Sequence, residues 1–530
     1  MNRRNAIKLS AFAFGAMTNS GFASAARLYS EYSPSPIATT KSGKIAGYVD
    51  RGVSVFRGIP FGADTKTCRF MPAGPAEPWQ GVRTTEEYGA AAPQQNIKEK
   101  ISEDCLFLNI WTPALRDQGH RPIMVYLHGG EYSSGSGSDT LYDGVNLCHR
   151  GDVVVITLNH RLNVFGHLFL GALDRDKYKS SGNVGLLDIV LALQWIQSHA
   201  IEFGGDPKRV MLFGQSGGGA KIACLMAMPK ARGLFNRLAT MSGQQITGSG
   251  PRAAANRAQV LLEGLKIPTS EMASLIQLPT AQLLAGASIA DPSLPGRSLY
   301  FGPVLDDAVL MRHPFYPDAP ALSKDIPMII GNTHDETRYF YSKDDSLQTL
   351  DWKDLPDKLR DAIFVDINID PVINAYRRHY PHYTASEVFF AASTAGRSWR
   401  GAVIEAELRA MQGAPAYVYQ LDFPSPVDNG KWRACHTLDI PLVFNNIDNA
   451  GSKTGTSVDA QKLSMQMCDA FIRFAKTGDP NHRNMPQWRP YTLTNRSTMI
   501  FDKNSHMEND PRGFERQLFS QVPYIQRGTF

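Results

Sequence analysis

Ser216 stands in Gly214-Gln215-Ser216-Gly217-Gly218, between the apolar run Arg209-Val210-Met211-Leu212-Phe213 and a helix-compatible stretch from Ala220 to Met228. A strand, a sharp glycine-flanked turn and a helix in that order make a nucleophile elbow, where the backbone is too tight for flanking side chains and the hydroxyl is thrust out of the sheet edge. Chance alone produces such pentapeptides in a chain with 45 glycines among 530 residues, so the strand and helix around it carry the reading. The chemistry implied is attack by a serine on an acyl carbon.

A second segment, Pro122-Ile123-Met124-Val125-Tyr126-Leu127-His128-Gly129-Gly130-Glu131-Tyr132, reads as a buried strand ending in a glycine turn, followed by a Ser/Gly-rich loop from Ser133 to Ser138. Acyl transfer places negative charge on the carbonyl oxygen. Backbone N–H groups of this turn, with that of Gly217 after the serine, are suited to hold it. Losing one such donor typically costs about a hundredfold to a thousandfold in rate.

Proteins with this elbow present serine, acid and histidine in that order, so the other two groups lie downstream. The acid is expected in Pro327-Met328-Ile329-Ile330-Gly331-Asn332-Thr333-His334-Asp335-Glu336, where a short apolar strand gives way to two adjacent carboxylates; Glu336 is the choice and Asp335 the rival. Of the later histidines, His379, His382, His436, His482 and His506, His436 stands out. It follows the strand-like Ala416–Leu421 and a Pro/Gly/Asn-rich loop, and leads into Ile440-Pro441-Leu442-Val443-Phe444. A serine hydroxyl is a poor nucleophile until a histidine takes its proton, and the histidine needs a carboxylate to fix its tautomer and stabilise the imidazolium. Neither a metal nor an organic cofactor is required. His379-Tyr380-Pro381-His382 lacks a third ligand and reads as a solvated loop.

The elements that must position these groups alternate strand with helix. Strand-like Val153–Leu158 and Ile123–Leu127 alternate with helical patterns such as Leu186-Leu187-Val190-Leu191-Leu193-Trp195, which predicts an α/β fold with a mostly parallel sheet flanked by helices. No repeat, low-complexity block or long linker divides the chain, so one domain is expected from 26 to 530.

The motifs Gly58-Ile59-Pro60-Phe61, Ser102-Glu103-Asp104-Cys105-Leu106-Phe107-Leu108-Asn109, Gly182-Asn183-Val184-Gly185-Leu186-Leu187-Asp188, Phe203-Gly204-Gly205-Asp206-Pro207 and Thr477-Gly478-Asp479-Pro480-Asn481 extend the pattern from about Tyr32 to the C-terminus. With them the chain resembles the type B carboxylesterases, the cholinesterase-like branch of the α/β-hydrolases. The resemblance implies an α/β-hydrolase fold, Ser216 as nucleophile, Glu336 as acid and His436 as base, with Ser242 in Met241-Ser242-Gly243 supporting the acid. A buried serine at a helix end is the structural alternative for Ser242. It also implies that the stretches from about Gly248 to Ser298 and Tyr341 to Arg400 are helical insertions that roof the site and choose the substrate.

Departures from the family pattern bear on substrate. Most members have a third glycine where this chain has Glu131, which excludes a glycine-only geometry unless strain is accepted and leaves Gly130, Glu131 and Gly217 as oxyanion donors. Neutral Gln215 replaces a glutamate whose charge helps hold cationic substrates in the cholinesterases, which disfavours choline esters. The tryptophan that narrows the acyl pocket in some relatives is missing from Gln244-Gln245-Ile246-Thr247-Gly248-Ser249-Gly250, so a roomy acyl site is expected.

The N-terminus has a basic segment over Met1–Lys8, a short apolar core from Ala11 to Met17 and a small-residue cleavage site at Ala23-Ser24-Ala25. An export signal over residues 1–25 is expected, with Arg3-Arg4 pointing to the twin-arginine route and a periplasmic or secreted product. The apolar core is too short to span a bilayer, so no stable membrane insertion is expected after its removal. Six cysteines are too few for cross-linking to hold the fold. The family's usual partner of Cys105 is replaced by Ala92; Cys68 substitutes only if the backbones approach, and a free, buried pair is expected. A net charge of +5 without a dense basic cluster gives no support to nucleic-acid binding. The expectation is therefore a serine carboxylic-ester hydrolase acting on a small-molecule ester. The alternatives are an amidase or carbamate hydrolase on the same triad, or a non-enzymatic cholinesterase-like binding protein, a class that usually lacks the serine.

Overall fold

Apolar runs such as Val154-Val155-Ile156 have no polar face, so the strands they form must be covered on both sides. The computed structural model describes residues 35–530 except 295, 525, 527 and 530; the expected export signal lies outside the described residues. The strands are β1 (Ile37–Thr39), β2 (Lys44–Ala46), β3 (Tyr48–Asp50), β4 (Val53–Pro60), β5 (Val82–Thr84), β6 (Phe107–Thr112), β7 (Arg121–Leu127), β8 (Val154–Leu158), β9 (Gly205–Gln215), β10 (Arg237–Met241), β11 (Met328–Thr333), β12 (Ala416–Leu421), β13 (Ser497–Phe501) and β14 (His506–Asn509). β1, β2 and β5 form a small sheet, and the other eleven form one large sheet in the order β14-β13-β12-β11-β10-β9-β7-β8-β6-β4-β3. From β8 through β13 every neighbour runs parallel, and the antiparallel pairings lie at the two flanks.

Side chains alternate across each strand. Ile123, Val125 and Leu127 of β7 join Leu186, Ile189, Val190 and Leu193 of the helix Val184–His199 on one face. Met124 and Tyr126, with Phe213 of β9, meet Met467, Phe471 and Phe474 of the helix Val458–Thr477 on the other. Covering one such side chain contributes roughly 1.5–3 kcal/mol before ordering costs. The second helix begins at Ser457, whose side chain accepts from the Ala460 N–H, and ends at Gly478 with φ 81, the left-handed position that glycine takes without penalty. The Thr477-Gly478-Asp479-Pro480 motif is therefore a helix stop.

Two other motifs are buried ion pairs. Asp188 takes both the Nε (2.8 Å) and an Nη (2.6 Å) of Arg161, and Glu103 grips Arg69 at 2.7 and 2.5 Å. Removing one partner of such a pair strands the other charge and costs about 3–5 kcal/mol. The insertions carry helices Pro251–Gly264 and Thr280–Gly286 in one stretch, and Leu355–Ala362, Ile369–His379 and Ala385–Thr394 in the other. The second group has its own core around Leu359, Val372, Tyr376 and Phe389. All six cysteines are free; Cys105 is buried, but Cys68 is only half-buried, so the expected pair is free without being wholly buried. Among the described residues no helix is long and apolar enough to cross a membrane.

Candidate active site

β9 delivers Gln215 to the C-terminal edge of the parallel strands, and the helix Gly217–Ala227 starts one residue after Ser216. Ser216 itself has φ 57 and ψ −127, a strained conformation for a residue with a side chain, of order 1–3 kcal/mol. Its N–H donates to the Met241 carbonyl at 2.8 Å, which ties the turn to β10. A Cβ on Gly214 would approach the Leu127 oxygen to 2.8 Å, and one on Gly218 would collide with the same carbonyl. The flanking glycines are thus required by the close passage of β7.

The turn after β7 runs antiparallel to this need for space. Gly130 takes φ 84 and Glu131 takes φ 53, so the chain accepts a left-handed backbone where relatives are expected to use glycine. A Cβ on Gly217 would collide with the Glu131 backbone, which places the two segments back to back. Gly130, Glu131 and Gly217 all line one cavity with Ser216, and among the described residues their N–H groups have no backbone acceptor. Unsatisfied first-turn donors at a helix N-terminus, with the positive end of its dipole, favour an anion.

His436 follows β12 and a loop, and Glu336 closes the turn after β11. His436 Nδ1–H donates to Glu336 Oε2, with only 3 % and 0 % of the two side chains exposed. The other carboxylate oxygen accepts from the Thr333 N–H at 2.9 Å and the Asn332 amide at 3.3 Å. Burial pushes the Glu336 carboxyl up, but the adjacent imidazole and the hydrogen bonds outweigh it and hold it below its ordinary value. Asp335 turns the other way. It meets His334 Nδ1 at 3.2 Å and Arg338 at 3.7 Å, and accepts from the Ala434 N–H at 3.4 Å.

Ser242 lies one residue past β10, at a strand end with φ 48, so the helix-end alternative does not hold. It is buried and close enough for its hydroxyl to help lower the Glu336 pKa, although its Oγ has no hydrogen-bond partner among the described residues. The Gln215 amide nitrogen is nearly equidistant from the two ring nitrogens of His436, at 3.3 and 3.2 Å, so it abuts the ring without favouring either. A carboxylate there would act first on the imidazolium, and only through it on a substrate. Among the described residues no hydrogen bond joins Ser216 Oγ to His436, although both line the same cavity.

The cavity shared by Ser216 and His436 measures about 450 Å³, and both expected insertions reach it through Leu294, Arg297, Phe364 and Arg397. Residues 34–518 match the model of the carboxylesterase family. The chain belongs to that family. It is 33% identical to the para-nitrobenzyl esterase of Bacillus subtilis over 91% of this chain and 98% of that one. It is 30% identical to the phenmedipham hydrolase of Pseudarthrobacter oxydans over 90% and 97%. A Geobacillus stearothermophilus carboxylesterase structure superposes with a TM-score of 0.81 at 34% identity, covering 91% of this chain and 99% of that one. The protein is a carboxylic-ester hydrolase with the α/β-hydrolase fold.

This carboxylesterase buries a lysine that its sequence pattern does not reveal. Lys221, on the elbow helix, is fully enclosed and donates to the His128 carbonyl at 2.9 Å, directly under the glycine turn. Burial lowers its pKa from 10.5 to about 7, with Glu131 pulling the other way. The remaining titratable neighbours, His128, His160, His167 and Tyr132, are held neutral by their own burial. Between pH 7 and 10.5 the unfolded chain binds more protons at this site than the folded one, so stability rises with pH there and the penalty is fully present below pH 7. Lys221→Met is therefore expected to stabilise the fold, and its gain at about pH 6 exceeds that at about pH 9 by roughly 3 kcal/mol. Urea unfolding of both proteins at the two pH values checks this; an equal gain at both would show that folding does not shift the pKa of the amine. Phe340, whose ring lies 4.8 Å from that of His436, and Arg397 were equally invisible, because packing alone decides where the short helix after Glu336 and the second insertion present their side chains.

Proposed function

We propose that Ser216, His436 and Glu336 form the catalytic triad of this esterase, with the N–H groups of Gly130, Glu131 and Gly217 as its oxyanion hole. The observation that carries this reading is the buried His436–Glu336 hydrogen bond, facing a cavity into which the strained turn presents Ser216. Donation of Nδ1–H to Glu336 leaves Nε2 unprotonated, the form needed to accept the serine proton. Ser216 Oγ attacks the ester carbonyl as its proton moves to His436, the oxygen gains negative charge beside the three N–H groups, and the alcohol departs with the proton from His436. Water then repeats the sequence on the acyl-serine and releases the acid. Ser242, by its effect on Glu336, is a supporting residue.

p-Nitrophenyl diethyl phosphate, which traps an activated serine, is expected to add one diethylphosphoryl group to the peptide containing Ser216. Peptide mass spectrometry showing the adduct on another residue would overturn the assignment. A cavity of about 450 Å³ around Ser216 has space for an acyl chain longer than acetyl, which supports the expected roomy acyl site. On p-nitrophenyl esters of rising chain length, kcat/KM is expected to hold or rise from acetate to hexanoate; a steep preference for acetate would contradict it.

A further inference from the structure

Two arginines face the cavity without a counter-ion. Arg397 belongs to a π-helical turn, Ala395–Trp399, that interrupts the helical run between Thr394 and Arg400. Such turns are uncommon and concentrate at functional sites. This one carries the guanidinium to the cavity wall, where its central carbon lies 3.9 Å from the centre of the Phe340 ring and 4.5 Å from that of Phe364. Arg297, exposed at the rim, stands 5.7 Å from the same Phe364 ring. Among the described residues neither guanidinium has a hydrogen-bond or ion-pair partner, although each carries five donors. Among the described residues Glu131 is the one carboxylate lining the cavity; it attracts Arg397 but forms no ion pair with either arginine. Two guanidiniums against one carboxylate leave the wall positive. The mutual repulsion and the burial both disfavour the charge on Arg397, a cost that an arriving anion would relieve.

The position relative to the chemistry is specific. The Phe340 ring lies 3.9 Å from the guanidinium carbon of Arg397 and 4.8 Å from the imidazole centre of the base. Arg397 and His436 thus share one aromatic neighbour on the wall of one cavity. Contact with two rings holds the guanidinium at the cavity wall, and with no hydrogen bond among the described residues its donors remain available for bidentate recognition of a planar carboxylate.

We propose that Arg397, with Arg297 at the rim, is a carboxylate-recognition subsite, and that the preferred substrates are esters carrying a free carboxylate a few bonds from the scissile carbonyl. The proposal rests on the triad reading and names its substrate class.

The test compares kcat/KM for charged and neutral partners of matched size, with rates corrected for spontaneous hydrolysis. p-Nitrophenyl hydrogen adipate against methyl p-nitrophenyl adipate places the carboxylate on the acyl side; 4-acetoxybenzoate against methyl 4-acetoxybenzoate places it on the leaving alcohol. The wild-type enzyme is expected to prefer one of the charged esters by about tenfold or more at low salt, since hydrogen bonds to charged groups discriminate by that order. Which pair shows the preference reports the side that faces Arg397. Added NaCl is expected to shrink it. Arg397→Met is expected to bring the charged-to-neutral ratio to one or below, whereas Arg397→Lys keeps part of the preference. Each ratio is taken on one preparation, so a smaller folded fraction cancels. Absence of any preference, or a preference that survives Arg397→Met, overturns the proposal. If none of the four esters is hydrolysed, the triad reading falls as well; if the neutral esters turn over without a preference for their charged partners, only the subsite does.

Discussion

The His436→Ala enzyme is expected to hydrolyse p-nitrophenyl acetate about a million times more slowly than the wild type, the order reached when the base of a serine–histidine–carboxylate unit is removed. The expectation follows from the tautomer. Glu336 accepts the Nδ1 proton in a fully buried pair, so the opposite ring nitrogen carries the only lone pair positioned to activate a hydroxyl. The neighbouring groups offer no substitute. Gln215 is a neutral amide, and His128 and His160 lie outside the cavity lining, held neutral by burial, with one ring nitrogen bonded to the Gly129 and the Arg161 carbonyl respectively. Steady-state rates on freshly purified protein, with a Ser216→Ala control for contaminating esterase, measure the loss. A drop of less than about a thousandfold would mean that another group takes the proton. Because Ser216 and His436 act as one unit, the double variant is expected to lose no more than either single one.

Glu336→Gln is expected to lower kcat by about ten-thousand-fold while leaving the fold intact. The glutamine amide fits the same space, but it cannot stabilise an imidazolium, and it can donate to Nδ1 and so select the wrong tautomer. Asp335→Asn provides the contrast. Its carboxylate is engaged with His334 and Arg338 and does not touch His436, so kcat is expected to stay within about tenfold of wild type. Both variants are compared by kcat and by thermal unfolding. Reversal of the two effects would make Asp335 the acid; equal small effects would remove the carboxylate from the mechanism.

These two carboxylates show how far the sequence could be read. The strand Met328–Thr333 and the polar turn after it were legible as an apolar run meeting charged residues, and chain order required an acid after Ser216. Spacing alone left Asp335 and Glu336 open, since adjacent residues on a turn project in different directions and only the path of the 434–436 segment decides which one meets the imidazole. That path brings the Ala434 N–H to Asp335 and the His436 ring to Glu336. Ser216 was legible for a local reason: the glycines that flank it are demanded by the passage of Leu127, and such close approach leaves a mark in composition. Strand β12 was read over its full extent, because its apolar run is bounded by Pro415 and by the turn after Leu421. β9 runs longer than the apolar segment Arg209–Phe213, because pairing of Gly205 with Arg121 extends it through polar residues. Lys221 and Arg397 left no such mark. A lysine in the second turn of a helix and an arginine in a helical insertion are ordinary surface residues in any linear pattern; long-range packing places one under the glycine turn and the other against two rings.

Parallel neighbours in the sheet cannot be joined by a hairpin, and each must wait for a crossover that lays its partner alongside. β10 and β11 pair although residues 242–327 lie between them, and β11 and β12 although 334–415 do. Closing such loops costs entropy before any contact rewards it, so topologies of this kind renature slowly. The pieces of the site hang from the ends of five different strands in this order. During refolding from denaturant, helical circular dichroism should therefore recover first, and turnover should return only when the last crossover has docked.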